Sequence, residues 1–304
     1  EKFSLPEARV ERLAGFIFIN MDHDAPALAE YFGPEFMAHI NEWGLENRYI
    51  YCHVVKKIPA NWKLNMEAFM EAYHVIHTHP QVAVSNADAN SQYDIYGEHV
   101  NRFISSLGVL SPHLRGQYTE QDILDQFTIG DSSMLGGADR TLAPGETARQ
   151  RMADIMRVMF EQGTNTDLSG VSDAELLDCF SYTLFPNTFL FPGISLPMVY
   201  RFRPDRDDHR KSIYEVFFLR PLPVDGIRPE PVETVYLDDD QSFTEAEGMD
   251  PGFGAILDQD TDNLLLQQEG LEASAKPGIT LGNYQEIRVR HFERAIDKYL
   301  QGGA

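Results

Sequence analysis

Cysteine is scarce in this chain: its 304 residues carry only Cys52 and Cys179. One disulfide at most can form, and two thiols alone cannot ligate an iron–sulfur cluster or a four-cysteine zinc site. Two free thiols in a cytoplasmic protein are the expectation. Basic residues are also in short supply, with 25 Lys and Arg against 47 Asp and Glu and a net charge of −22. That balance argues against a nucleic-acid partner, because neutralising phosphates needs clustered Lys and Arg. It disfavours an anionic membrane surface as well, and suits a basic redox or protein partner. No apolar run reaches the roughly 20 residues that span a bilayer, and there is no internal repeat or low-complexity tract. The chain starts Glu1-Lys2-Phe3-Ser4, without a methionine or a signal-like apolar core, and so reads as an excised or processed part of something longer.

What is present is enough for a globular core: 43% hydrophobic and 11% aromatic residues with 24% charged. Residues 11–21 form an aromatic and β-branched run that predicts a buried strand, broken by Asp22, Asp24 and Pro26. Helical spacing follows over 27–43, interrupted at Gly33-Pro34, and residues 48–58 alternate as a second strand that Pro59 closes. Residues 81–118 are irregular, with one short strand near 95–105. A short helix runs from Thr119 to about Phe127, residues 130–143 are loop-like, and a helix follows to about Gln162. The stretch 81–165 is expected to be a pocket wall or lid inserted into the domain. Strands over 177–185, 187–193, 196–204 and 211–221 are joined by short turns and imply an antiparallel sheet, the last two as a hairpin turning at Arg203–Asp208. Helices over 253–270 and 282–300 close the chain. The layout is α+β in one domain spanning 1–304, a sheet curled around a long C-terminal helix with a pocket between them.

The chemistry concentrates in Asn61-Trp62-Lys63-Leu64-Asn65-Met66-Glu67-Ala68-Phe69-Met70-Glu71-Ala72-Tyr73-His74-Val75-Ile76-His77-Thr78-His79-Pro80. As a helix, this segment puts Glu67, Glu71 and His74 on one face. A spacing of five turns His79 off that face, so His74 and His79 converge only if the helix ends or bulges between them, which Thr78 and Pro80 allow. Two histidines with one distant carboxylate form the arrangement that holds non-haem Fe(II) and leaves positions open for O2. Zinc accepts the same donors, with Glu71 as a general base in a hydrolase. The plain alternative is a pair of polar surface histidines at a helix end, and the neighbouring Trp62, Glu71 and Tyr73 weigh against it.

The segment resembles the signature of the catalytic domain of Rieske non-haem iron ring-hydroxylating oxygenases, α subunit: Asn61-Trp62-Lys63, then Glu71, then His74 and His79 with four residues between them. The resemblance implies that His74 and His79 ligate iron and His77 does not. It implies a third ligand on a C-terminal helix, where Leu257-Asp258-Gln259-Asp260 with Gln267 is similar to the family pattern; Asp260 is the expected ligand, with Asp258 and Asp262 as alternatives. Residues 15–24 resemble the segment after the Rieske domain, and residues 278–300 the C-terminal helix. The implied fold is helix-grip, START-like. The family's [2Fe–2S] Rieske motif, Cys-x-His followed by Cys-x2-His, is absent, and Cys52-His53 is not it; the cluster domain is expected upstream of Glu1. Glu71 stands where many relatives have Asp, as the electron bridge to a neighbouring subunit's cluster, and some relatives acting on non-aromatic amines also carry Glu. Glu67-Ala68 lacks the Asn that many relatives have there.

The implied reaction is O2-dependent dihydroxylation, monohydroxylation or oxidative demethylation of a small, mostly apolar, aromatic compound. It is served by NAD(P)H through a separate reductase, with or without a ferredoxin, in a homotrimer with or without β subunits. Phe69 and Met70 are candidate pocket residues, although such side chains on a helix are more often core. A helix-grip module that carries a hydrophobic ligand without chemistry is the rival outside the enzymes.

Overall fold

The structure, a computed structural model, describes Leu5 and residues 7–127, 138–164 and 166–302. Most of the loop predicted over 130–143 therefore lies outside the described residues. The first strand of the sequence reading is a hairpin, β1 (Arg9–Leu13) and β2 (Phe16–Asn20). Ala14 and Gly15, at φ 53° and 86°, reverse the chain between them. Next come α1 (Leu28–Phe32) and α2 (Pro34–Glu42), separated by Gly33 at φ 82° with Pro34 opening the second helix. The strand β3 (Arg48–Ile58) has the limits its alternation predicts.

The histidine-bearing segment 61–80 then forms α3 (Trp62–Glu67) and the single turn α4 (Val75–Thr78). Residues 92–105, within the stretch 81–165, are not insertion: they make β4 (Gln92–Tyr96) and β5 (Val100–Ser105) of the main sheet. The later part of that stretch forms α5 (Glu120–Asp125) and α6 (Ala148–Thr164). With α7 (Asp173–Leu177) they build a cluster of their own around Leu107, Ile123, Met152, Met156 and Leu177.

The sheet continues with β6 (Cys179–Leu184), β7 (Thr188–Phe191), β8 (Met198–Asp205) and β9 (Asp208–Pro221), and a short β10 (Val235–Leu237) joins its far edge. The order is β10-β3-β9-β8-β7-β6-β5-β4, open at both ends and antiparallel except for the β10–β3 pairing. Side-chain alternation separates its faces. On β8, Met198, Tyr200 and Phe202 enter one core, while Val199 enters the other with Leu13, Phe36 and Ile40 of the N-terminal hairpin and α2.

The first core is closed by α3 and by the C-terminal helices α8 (Pro251–Asp262) and α10 (Ile287–Leu300), through Met66, Leu257, Val289 and Phe292. The sheet thus grips helices on one face, the expected α+β helix-grip arrangement. One difference concerns the helix predicted over 253–270, which is two, α8 and α9 (Leu264–Ala273), meeting at Asn263. There Thr261 Oγ1 bonds back to the Leu257 carbonyl at 2.9 Å and Asn263 Nδ2 to the Gln259 carbonyl at 3.1 Å. Side chains competing for helix carbonyls in this way bend or end a helix.

Candidate metal centre

The helix that starts at Trp62 does not reach the histidines, because side chains from elsewhere take its backbone groups. Asn61 caps its start by accepting from the Lys63 N–H. After Glu67 the Met70 carbonyl accepts from Arg288 at 3.2 Å, the Ala72 N–H donates to the Tyr93 hydroxyl at 3.1 Å, and the His74 N–H donates to Glu71 Oε2 at 3.0 Å. Freed from the helix, the chain makes one turn whose flanking residues are His74 and His79. Their rings lie 5.4 Å apart, centroid to centroid. His77, inside the same turn, is exposed and does not join the group they form with Asp260.

Asp260 comes from the buried face of α8 and completes the group. One ligand atom from each of His74, His79 and Asp260 lies within 4.8 Å of the other two. Asp258, two residues earlier on the helix, faces elsewhere: it accepts from Lys56 Nζ at 3.3 Å, Ser242 Oγ at 2.5 Å and the Phe243 N–H at 2.9 Å. Asp262 is exposed. Of the three carboxylates weighed from the sequence, the structure brings Asp260 to the histidines.

The hydrogen bonds fix which ring nitrogens face inward. His74 Nδ1 lies 2.7 Å from Glu71 Oε1, and His79 Nδ1 lies 2.8 Å from Gln259 Oε1. Both partners can accept from the ring, so each Nδ1 is placed to donate and each Nε2 faces inward, a free lone pair for a metal once the ring is neutral. Those two nitrogens lie 3.6 and 2.8 Å from the same oxygen, Asp260 Oδ1. Three lone-pair groups facing one another repel unless a cation sits among them. The donor set of two imidazole nitrogens and a carboxylate oxygen fits a first-row divalent ion with open positions. Burial works against the charged form of His74, yet Glu71 and Asp260 outweigh it and hold its pKa above the usual value.

Beside the cluster is a cleft of about 510 Å³, lined by Glu67, Glu71, Tyr73, His74, Asp260 and Glu286 and opening to solvent along Ser274 and Ile279. Phe69 and Met70, the pocket candidates from the sequence, are not among its walls. Phe69 packs on Tyr200, Phe202 and Tyr214, and Met70 is fully buried.

Sequence reasoning passed over Gln259, Arg288 and Asp88. Arg288 is fully buried and donates to Asn101, Thr183, Ser181 and the Met70 carbonyl. Asp88 is fully buried near His74, with one carboxylate oxygen lacking a hydrogen-bond partner. Only the position of Gln259 beside the expected ligand pointed to any of them.

Fold and cluster together give a domain with a candidate site for a single metal ion, two histidines from one turn and a carboxylate from a C-terminal helix. The chain belongs to the family described as ring hydroxylating alpha subunit (catalytic domain), whose model matches residues 37–302. The carnitine monooxygenase oxygenase subunit of Acinetobacter pittii (strain PHEA-2) is 34% identical over 87 residues, 28% of this chain and 23% of that protein. The terephthalate 1,2-dioxygenase terminal oxygenase component subunit alpha 2 of Comamonas sp. is 24% identical over 135 residues, 42% of this chain and 32% of that one. In fold, the chain is similar to the crystal structure of the quaternary ammonium Rieske monooxygenase CntA bound to an inhibitor. That match has a TM-score of 0.57 at 16% identity and covers 96% of this chain but 61% of the other. The chain therefore spans less than two thirds of the solved structure it resembles. Among the described residues no helix is long and apolar enough to cross a membrane.

Proposed function

We propose that this domain holds one Fe(II) through His74, His79 and Asp260 and serves the O2-dependent oxygenation of a small organic molecule. The observation that carries this reading is the convergence of two bare Nε2 atoms on one carboxylate oxygen, each ring anchored from behind. Bound there, iron supplies the one-electron chemistry that makes O2 reactive toward a C–H or ring bond. The chain's residues do the rest. Asp260 offsets part of the ion's charge, and Glu71 fixes the orientation of His74. The aromatic packing of Phe69, Tyr200 and Tyr214 keeps water out behind the motif.

Electrons would enter at Glu71, which lines the same cleft as His74. A Rieske [2Fe–2S] domain fits that role, supplied by a neighbouring subunit of a trimer and reduced by an NAD(P)H-dependent reductase with or without a ferredoxin. The relatives are named for carnitine and for terephthalate, and Glu71 accords with the non-aromatic side of that range, so the substrate class is wider than aromatic rings. A zinc hydrolase with Glu71 as base is disfavoured by position: both Glu71 oxygens are engaged behind His74, away from the inward-facing Nε2.

Anaerobic Fe(II) loading followed by metal analysis tests the reading. About one iron per chain in the wild type and its loss in His74→Ala are expected. Wild-type protein that retains no iron, or His74→Ala that retains all of it, overturns the assignment.

A further inference from the structure

The two histidines are backed by chemically different groups. His74 leans on a carboxylate, Glu71, and His79 on a neutral amide, Gln259. A side-chain amide can present either its oxygen or its NH2, and only the oxygen accepts from an Nδ1–H. A third residue is arranged in keeping with the oxygen: Gln81 Nε2 donates to the same Gln259 Oε1 at 2.8 Å. If the Gln259 amide turned over while Gln81 kept its orientation, its NH2 would face the donors of both Gln81 and His79. Gln81 lies two residues after His79, just beyond Pro80, and Gln259 lies directly before Asp260. The three residues thus link the turn bearing two donors to the helix bearing the third.

We infer that Gln259 and Gln81 form a positioning pair that holds the His79 ring with Nδ1 on the Gln259 amide oxygen and Nε2 aimed at Asp260. The pair also leaves the centre asymmetric, with one imidazole backed by a carboxylate and the other by an amide. This rests on the metal-site reading above. A carboxylate behind an imidazole pushes electron density onto the ligating nitrogen, and an amide oxygen does so far less. Two carboxylates would add a further negative charge to a site already holding Glu71 and Asp260. The amide supplies the geometry of the contact without that charge.

The test is anaerobic titration of the full chain with Co(II), read by its visible absorption, which reports both affinity and ligand geometry. Gln259→Leu removes the acceptor at similar volume and is expected to weaken Co(II) binding about 10–100-fold, the usual effect of losing an outer partner of a ligating histidine. Gln259→Glu restores the acceptor, so its affinity should return to the wild-type value or exceed it, with a shifted spectrum. Gln81→Leu frees the amide to turn and should weaken binding by a smaller factor than Gln259→Leu. Circular dichroism and a thermal melt establish that each variant is folded. A folded Gln259→Leu that binds within about twofold of wild type overturns the inference, as does a folded Gln259→Glu no better than Gln259→Leu. Failure of the wild type to bind Co(II) at all would instead sink the metal-site reading itself.

Discussion

Arg288 on the last helix donates to the main-chain carbonyl of Met70, 3.2 Å away, and so ties α10 to the turn that leads into His74. The same guanidinium donates to Asn101 Oδ1 and Thr183 Oγ1, both at 2.7 Å, and sits 4.8 Å from the centre of the Phe103 ring. Burial pushes its pKa down to about 9. Arg288→Met would fill much of the volume and leave four buried acceptors, the Met70 carbonyl, Asn101, Ser181 and Thr183, without this donor. A loss of about 3 kcal/mol or more is expected. Urea denaturation measures it, and Co(II) affinity should fall in parallel because the turn loses its anchor.

Asp258 and Asp260 sit two residues apart and should fail in opposite ways. Asp260→Ala is expected to abolish metal retention while costing little stability, since it relieves the crowding of acceptors. Asp258→Ala is expected to keep the metal and destabilise the fold by about 2–4 kcal/mol, because it strands the buried Lys56 ammonium without its carboxylate. Metal analysis paired with denaturation separates the two. Loss of metal in the Asp258 variant would reverse the assignment.

Stability should fall as pH rises across the neutral range, and Glu67 is one source. Burial, with Glu293 beside it, raises its pKa from 4.5 to about 9. The native protein therefore keeps a proton that the unfolded chain releases. Between those values the native state binds more protons, and stability declines as pH increases. Glu67→Gln should raise the melting temperature at pH 8 and flatten the decline between about pH 5 and 9. An unchanged slope would assign the effect to another group.

Gly108 tests the packing of α6 against the residues that follow β5. It has φ 74°, and a Cβ there would lie 3.0 Å from both Arg149 Cα and Met152 Sδ. Gly108→Ala is expected to cost about 1–3 kcal/mol through overpacking, with backbone strain added. Thermal denaturation measures it, and Fe(II) retention should persist because the metal centre lies on other elements.

Much of the sheet was legible because its information is local. Alternation places β3 at Arg48–Ile58, and the polar run at 203–208 marks the β8–β9 turn, which reverses at Arg206 with φ 56°. The break inside the metal motif was not legible in the same way. Residues 61–73 carry helical spacing, and what ends the helix is a hydroxyl 21 residues away and a guanidinium 218 residues away. The choice of Asp260 over Asp258 likewise depends on Lys56, 202 residues distant. Arg288 shares its helix with Arg290 and Arg294 and reads as one more solvated cation, until the sheet is seen to close over it.

His79 and Asp260 approach within 2.8 Å although 181 residues separate them along the chain. An ion held between them would be a cross-link, closing a very long loop and removing freedom mainly from the unfolded ensemble. The entropic gain from such a clip grows with loop length. Loading should therefore slow global unfolding more than the local contacts of three side chains suggest, and stripping the ion should make both halves of the chain more accessible to protease at once.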